Sequence, residues 1–162
     1  KERDCVSGIK HINWEEIPAK RKAEHENYQY DRRKFLGFGE TSNTCVSVYE
    51  IPPGKAAYPY HYHHKNEETF FILRGQGLLK TPEGERTVRE GDLLFFPANA
   101  DGAHKLTNLS ETEPLVYLDF DVVHDVDIAV YPETGKLGVW GKNINRIWRQ
   151  QDDVDYYDGE DV

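Results

Sequence analysis

Two histidines and a glutamate lie close together in a segment that has the residue pattern of β-strands. His61 and His63 are two positions apart, so on a strand their side chains point to the same side. Glu68 follows a short polar break and begins a second apolar run, which ends at Gly75. Imidazole and carboxylate groups that a pair of strands brings together are ligands for a divalent metal ion. The segment therefore predicts one half of a metal site.

The other half needs a ligand from elsewhere in the chain, and His104 is the candidate. It lies shortly after an apolar segment, residues 93–97, and before Asn108. Three neutral imidazoles and one carboxylate suit Fe²⁺, Mn²⁺, Ni²⁺ or Zn²⁺. They leave coordination positions for water or a substrate, and the ion acts as a Lewis acid. The remaining histidines are expected to be structural, exposed or outside the ligand set; they are His11, His25, His64 and His124.

These residues also resemble the two sequence motifs of the cupin superfamily. The first motif is matched by His61, His63, Glu68 and Gly75. The second is matched by Gly91, Pro97, His104 and Asn108. The wider sequence, residues 36–136, is similar to a group of small single-domain bacterial cupins named as sugar-phosphate isomerases. The resemblance implies a double-stranded β-helix, the jelly-roll barrel, in which the three histidines and Glu68 bind one divalent metal ion.

Short strands must position these ligands, and the sequence predicts an all-β fold. It has 13 glycines and 8 prolines, which divide the chain into short runs, and in residues 44–51 alternate residues share one face. We predict about ten short antiparallel strands that form one jelly-roll barrel over residues 35–148. Residues 1–34 are predicted to be an N-terminal arm and residues 149–162 an acidic C-terminal tail.

Composition limits what the chain binds. The sequence has 162 residues, the length of one domain, and a formal net charge of −9. Six of the acids lie between Asp152 and Asp161, where no lysine or arginine occurs. Binding to nucleic acid requires a basic face, which the sequence lacks, and no apolar run is long enough to cross a membrane. We therefore expect neither nucleic acid nor a membrane as a partner.

The two cysteines, Cys5 and Cys45, do not form a Cys-x-x-Cys pair, which excludes a zinc ribbon or a thioredoxin-like motif. We expect two reduced thiols in a cytoplasmic protein, with a Cys5–Cys45 disulfide as the alternative. The N-terminal residues show no signal-peptide pattern, and export of a longer precursor remains open. Because paired barrels are common among cupins, we expect a homodimer.

Three functions are consistent with the predicted metal site. The resemblance favours a metal-dependent isomerase of a sugar or sugar phosphate, with Glu68 as the base and Glu67 as the competing carboxylate. A phosphate requires lysine or arginine near the site, and only Arg74 and Lys80 are close in sequence. One alternative is an Fe/Mn-dependent dioxygenase or an oxidoreductase resembling oxalate decarboxylase. The other is a non-catalytic module that binds a small carbohydrate.

The interior of the barrel is expected to hold a small polar substrate. Its candidate apolar walls are Phe70, Ile72, Phe95 or Phe96, Leu106 and Leu118. The polar side chains expected to orient the substrate are Tyr49, Tyr60, Tyr117 and Arg74.

Overall fold

The computed structural model describes residues 7–41 and 43–160, whose regular elements are nearly all β-strands. The strands are β1 Ala19–Lys22, β2 Tyr30–Leu36, β3 Thr44–Ile51, β4 Tyr62–His63, β5 Glu67–Arg74, β6 Gln76–Thr81, β7 Gly84–Arg89, β8 Leu93–Phe96, β9 Lys105–Asn108, β10 Leu115–Val122, β11 Val126–Tyr131, β12 Lys136–Gly141 and β13 Ile144–Arg149. Within these residues, three short 3-10 helices cover Trp14–Glu16, Ala100–Gly102 and Gln150–Asp152. The predicted all-β class is confirmed, and no described helix has the length and apolar character needed to cross a membrane.

The strands pair in antiparallel fashion and form three sheets. The largest has the order β1-β2-β3-β10-β5-β8. A four-stranded sheet has the order β13-β12-β11-β4, and a three-stranded sheet the order β7-β6-β9. Two main-chain hydrogen bonds, of 3.1 and 2.9 Å, join His61, which precedes β4, to His104, which precedes β9. These bonds connect the two smaller sheets and make the two predicted ligand segments neighbours.

The first two strands extend the large sheet. β1 and most of β2 lie within residues 1–34, the segment predicted to be an arm, and they pair with each other and with β3. Tyr30 of β2 is buried in the core, and Arg33 Nη1 donates a hydrogen bond to Ile17 O at 2.6 Å. At the other end of the chain, residues 150–160 are exposed.

The hydrophobic core lies between the large sheet and the three-stranded sheet. The large sheet contributes inward-facing residues such as Phe70, Ile72 and Tyr117, and β9 contributes Leu106. Burial of each such side chain contributes about 1.5–3 kcal/mol. The structure thus places four of the predicted wall residues in this core: Phe70, Ile72, Phe96 and Leu106.

Two other predicted wall residues face away from the interior, because strand side chains alternate between faces. Phe95 is 59% exposed, whereas its neighbour Phe96 is buried. On β10, Tyr117 and Asp119 are buried and face inward, so Leu118 between them faces outward. The prediction of Leu118 as a wall was therefore wrong, and Phe96 is the inward member of the phenylalanine pair.

A cavity of about 590 Å³ lies between the large sheet and the four-stranded sheet. Residues of β2, β3 and β10 line one side, and residues of β11 and β12 line the other. His61, His63 and Glu68 also line it. Cavities of roughly 300–1,000 Å³ are typical of small-molecule sites. The fold therefore places the predicted metal ligands beside a space that can hold a small substrate.

Candidate metal centre

Short segments on both smaller sheets and on β5 bring the four predicted ligands together; His61, His63 and Glu68 line the cavity, and His104 lies buried behind them. Glu68 faces inward from β5, whereas Glu67 is exposed. His63 is on β4, and His61 lies two residues before it, so both side chains face the cavity as predicted. His104 reaches the same place through its main-chain pairing with His61.

The loop before His104 depends on a close approach at Gly102. A Cβ atom at this position would lie 2.0 Å from Pro97 O, so only glycine fits. Asn99 caps the 3-10 helix that ends at Gly102, and its side chain accepts a hydrogen bond from Asp101 N at 2.8 Å. Gly102 O in turn accepts a hydrogen bond from His104 Nδ1 at 2.9 Å. The loop thus fixes the orientation of the His104 ring.

Each of the three imidazoles is oriented by a hydrogen bond at Nδ1. His61 Nδ1 donates to Pro59 O at 2.9 Å, and His104 makes the bond described above. His63 Nδ1 donates to a carboxylate oxygen of Asp127. Because carbonyl and carboxylate oxygens accept, each Nδ1 carries the proton and each Nε2 keeps a lone pair. Histidines that bind metal ions through Nε2 have this arrangement.

The free sides of the imidazoles converge on Glu68. Ligand atoms of His61, Glu68 and His104 lie within 4.8 Å of one another. His104 Nε2 is 3.4 Å from Glu68 Oε2, and His63 Nε2 is 3.7 Å from Glu68 Oε1. The ring centroids of His63 and His104 each lie 5.0 Å from that of His61. The structure brings all four residues together, with His63 beside the tight cluster of the other three.

Burial sets the charge of these groups. Burial, aided by the neighbouring His63, lowers the pKa of His61 to about 4. Burial and then His61 hold the pKa of His104 well below its usual value. Both rings are therefore neutral at physiological pH, as metal ligands must be. Burial also raises the pKa of Glu68 to about 7, an effect that His63 opposes and Asp121 strengthens.

His63 differs from the other two histidines because a buried acid, Asp127, is its partner. Asp127 is 2% exposed and also accepts hydrogen bonds from the N–H groups of Lys65 at 2.8 Å and Asn66 at 3.3 Å. Burial lowers the pKa of His63, but the bond to Asp127 and the charge of Glu68 outweigh burial and raise that pKa overall. Burial likewise raises the pKa of Asp127, and its hydrogen bonds lower it overall. The sequence analysis missed Asp127, whose one signal is an acid within the otherwise apolar end of β11.

The donor set fits a divalent transition-metal ion. His61 and His104 present neutral Nε2 lone pairs, His63 offers its Nε2 once a metal ion displaces the proton, and Glu68 adds a carboxylate; such nitrogen and oxygen donors suit Fe²⁺, Mn²⁺, Ni²⁺ or Zn²⁺. Every imidazole is also held at Nδ1 by a fixed acceptor, as metal-binding histidines are. His61, Glu68 and His104 could therefore hold such an ion, with His63 beside them as a fourth ligand.

Two further carboxylates, those of Asp119 and Asp121, face the cavity from β10. The strand register places Asp121 opposite Glu68 of β5 and Asp119 opposite Ser47 of β3. Burial raises the pKa of both aspartates, and their mutual repulsion raises that of Asp119 further. The sequence analysis missed this pair, although its two-residue spacing on a β-rich run was the available signal.

The residues predicted to orient a substrate are divided between the cavity and the surface. Tyr49 lines the cavity. The ring of Tyr117 stacks on the ring of Tyr49 at a centroid distance of 5.2 Å. Tyr60 instead lies near Lys80, and Arg74 forms an exposed ion pair. Neither Tyr60 nor Arg74 lines the cavity, so both were wrongly predicted as substrate contacts.

Basic groups reach the cavity from β2. Arg32 and Lys34 are two residues apart on β2, and both side chains lie on the face that lines the cavity. Arg32 Nε donates to Ser47 Oγ at 2.9 Å, and its guanidinium lies 5.5 Å from the ring centre of Tyr49. Lys34 Nζ pairs with Glu40 at 2.7 Å. These residues supply positive charge that the sequence analysis did not locate.

Cys45 also lines the cavity, and burial raises the pKa of its thiol. Cys5 lies outside the described residues. The state of the two cysteines therefore stays a prediction.

Comparison with known proteins identifies the fold. Residues 47–121 match the family model of the cupin domain. The sequence matches none of the curated proteins with which it was compared. A solved structure from Acidithiobacillus ferrooxidans, named as a candidate sugar phosphate isomerase, is similar with a TM-score of 0.76 and 24% identity, over 86% of this chain and 90% of that one.

Two more solved structures are similar at lower identity. A sugar phosphate isomerase of the cupin superfamily from Silicibacter pomeroyi has a TM-score of 0.77 and 17% identity, over 92% of this chain and 98% of that one. A predicted oxalate decarboxylase from Thermotoga maritima has a TM-score of 0.60 and 18% identity, over 71% of this chain and all 100% of that one. At these identities the likeness concerns the fold and not the activity. The predicted cupin fold is confirmed.

Proposed function

Because residues 47–121 match the family model of the cupin domain, we propose that this protein is a metal-dependent enzyme that acts on a small polar substrate. The three converging histidines and Glu68 are the proposed ligands. One observation carries the proposal: Nε2 of His63 and of His104 face Glu68 at 3.7 and 3.4 Å. Direct hydrogen bonds between such groups are about 2.7–3.2 Å long. The groups thus face one another across a gap, as ligands around an ion do.

The specific reaction we propose is the isomerisation of an aldose, or of its phosphate, to the ketose. The names of the structures from Acidithiobacillus and Silicibacter favour this reaction by analogy. A bound divalent ion would supply a Lewis acid for the substrate oxygens. Glu68 is the proposed base: through the carboxylate oxygen that the ion would leave free, it accepts the proton from C2, exchanges it with solvent and delivers a proton to C1, while the hydroxyl proton of O2 passes to O1.

The lining of the cavity supports a polar, carbohydrate-like substrate. Trp140 and Tyr131 offer aromatic surfaces on the four-stranded sheet, and polar side chains face them from the large sheet. Arg32 is the proposed partner of a phosphate group, because a guanidinium presents several N–H donors in one plane. Its Nε is engaged with Ser47, which leaves the terminal nitrogens for a ligand.

Proton exchange tests the isomerase proposal. The metal-loaded protein is incubated in D₂O with a panel of aldoses and aldose phosphates, and NMR follows the signal of the C2 proton. We expect exchange with the wild type and none with His61→Ala. The matched control is His11→Ala, which removes an exposed histidine and should exchange like the wild type. A wild-type protein that holds its metal and binds sugars without exchanging a proton would exclude the isomerase.

The main alternative is an oxidoreductase that uses the same ligands with Fe²⁺ or Mn²⁺. The likeness in fold to the predicted oxalate decarboxylase favours it as the second candidate. Oxygen consumption with thiol and phenolic substrates, and release of formate and CO₂ from oxalate, measure it directly. If oxygen uptake, decarboxylation and proton exchange are all absent while sugars still bind, the protein is a carbohydrate-binding module.

The expected homodimer and the cytoplasmic location remain predictions. On β8, Leu93 and Phe95 are 73% and 59% exposed, and apolar surface of this kind is available for contact with another chain. Light scattering from the purified protein measures whether two chains associate.

A further inference from the structure

The aspartate pair on β10 forms a second cluster of carboxylates, which the proposed reaction does not use. Asp119 and Asp121 are two residues apart, so both side chains point into the cavity. Together with Glu68, they place one oxygen each within 4.8 Å of one another. Asp119 is 7% exposed, so water solvates it poorly. Three carboxylates held this close together away from water repel one another.

Each aspartate also has a buried oxygen without a partner. Oδ1 of Asp119 and Oδ1 of Asp121 are inaccessible to solvent and accept no hydrogen bond, and the hydrogen bond between the two side chains, which requires a shared proton, leaves both atoms unused. Buried polar atoms are nearly always paired, so two unpaired oxygens on neighbouring side chains require an explanation. None of the ion pairs within residues 7–41 and 43–160 includes either aspartate. Arg32 shares the cavity and its charge opposes the rise that burial causes in the pKa of both aspartates, but it forms no ion pair with either, and its Nε–H is donated to Ser47.

We propose that Glu68, Asp119 and Asp121 bind a second divalent cation beside the histidine site, with Glu68 shared between the two cations. The three carboxylates supply anionic ligands, and a cation offsets the repulsion among them. Oxygen-only ligand sets suit hard cations such as Mg²⁺ and Mn²⁺. Imidazole nitrogens suit transition metals, so Mn²⁺ fits both sites and Mg²⁺ fits the carboxylate site alone.

A second cation would change what Glu68 can do. A carboxylate whose oxygens are both held by cations is a weaker base than one with a free oxygen. If the isomerase proposal holds, proton exchange should therefore fall as the second site fills. The second site does not depend on the isomerase proposal, because cation binding is measured without a substrate.

Metal counting tests the second site. Metal-free wild type is equilibrated with MnCl₂, unbound metal is removed by dialysis, and manganese per chain is measured by mass spectrometry. We expect two Mn²⁺ per chain, with an electron paramagnetic resonance spectrum of two magnetically coupled ions. Asp119→Asn and Asp121→Asn should each hold one Mn²⁺ per chain with the hyperfine pattern of an isolated ion. Excess Mg²⁺ should displace one Mn²⁺ from the wild type and none from these variants.

The controls separate the two proposals. Glu85→Gln removes an exposed carboxylate from β7 and should bind two Mn²⁺ like the wild type. Asp119→Asn and Asp121→Asn are independent tests, so failure of one variant to fold leaves the other. One Mn²⁺ per wild-type chain would overturn the second site, with the aspartates sharing a proton instead, and would leave the isomerase proposal standing. Two coupled ions without proton exchange at any Mn²⁺ load would overturn the isomerase and leave the second site standing.

Discussion

Replacing Asp127 by alanine should destabilise the metal-free protein by about 3–5 kcal/mol, the typical cost of removing one partner of a buried ionised pair. Asp127 is 2% exposed and accepts hydrogen bonds from His63 Nδ1 and from the N–H groups of Lys65 and Asn66. Alanine leaves the His63 ring without its acceptor. Because Lys65 is exposed, water can replace part of what the two N–H groups lose. The expected value is therefore at the lower end, about 3 kcal/mol.

The loss should be largest between about pH 5 and pH 6.5. Folding lowers the pKa of Asp127. Its contribution to the free energy of unfolding is therefore complete above its unfolded pKa of about 3.9 and is lost as the pH falls through its folded pKa. Folding raises the pKa of His63, so the contribution of the charged imidazole is complete below about pH 6.5 and is lost as the pH rises through the folded value. Above that pKa, neutral His63 still donates a hydrogen bond to Asp127, so a smaller difference in stability between the wild type and Asp127→Ala remains.

Urea unfolding in the presence of a chelator measures this prediction at pH 5.5 and pH 8.5. The matched control is Asp125→Ala, which removes an exposed acid two residues away and the same formal charge. We expect a large loss of stability for Asp127→Ala and almost none for the control. A loss below about 1 kcal/mol at pH 5.5, the level of a surface ion pair, would refute the reasoning. So would equal losses at both pH values.

Three further predictions concern the loop, the tail and the metal. Gly102→Ala should cost about 3 kcal/mol or more and reduce metal content, because its Cβ would lie 2.0 Å from Pro97 O; thermal melting and metal analysis test this. Deletion of residues 152–162 should leave metal content unchanged, and a loss of metal would show that the tail closes the site. Metal at about 1,000 times its Kd should stabilise the wild type by about 4 kcal/mol. In chelator, His61→Ala should melt at the same temperature as the wild type, and addition of metal should stabilise the variant little.

The candidate ligands could be predicted because they depend on local spacing. The two-residue interval between His61 and His63 fixes a shared face on any extended segment, and Glu68 begins the next apolar run. Asp119, Asp121 and Asp127 could not be predicted in the same way. Their importance depends on pairing between strands that are distant in sequence, such as the register that places Asp121 opposite Glu68. A single sequence does not contain that register.

The all-β class was also predictable, whereas the extent of the large sheet was not. β1 is exposed along its whole length and has no apolar face, so its sequence has no strand pattern. It is a strand because its main chain pairs with β2 at the edge of the sheet. The opposite occurs around His61 and His63, where the segment with a strand pattern contains only the two-residue strand β4, Tyr62–His63. Pro59 lacks a main-chain N–H, and His61 pairs with His104 outside the regular strands.

The three imidazoles are not held equally, and this difference has a consequence for metal binding. His61 and His104 donate to main-chain carbonyl groups, which no side-chain substitution removes directly. His63 donates to the side chain of Asp127 and stands beside the tight cluster, so its orientation depends on one residue. Loss of such an outer partner typically costs 10–100-fold in metal affinity. Asp127→Ala should therefore weaken metal binding by about that factor, whereas His61→Ala breaks the cluster itself and should weaken binding more.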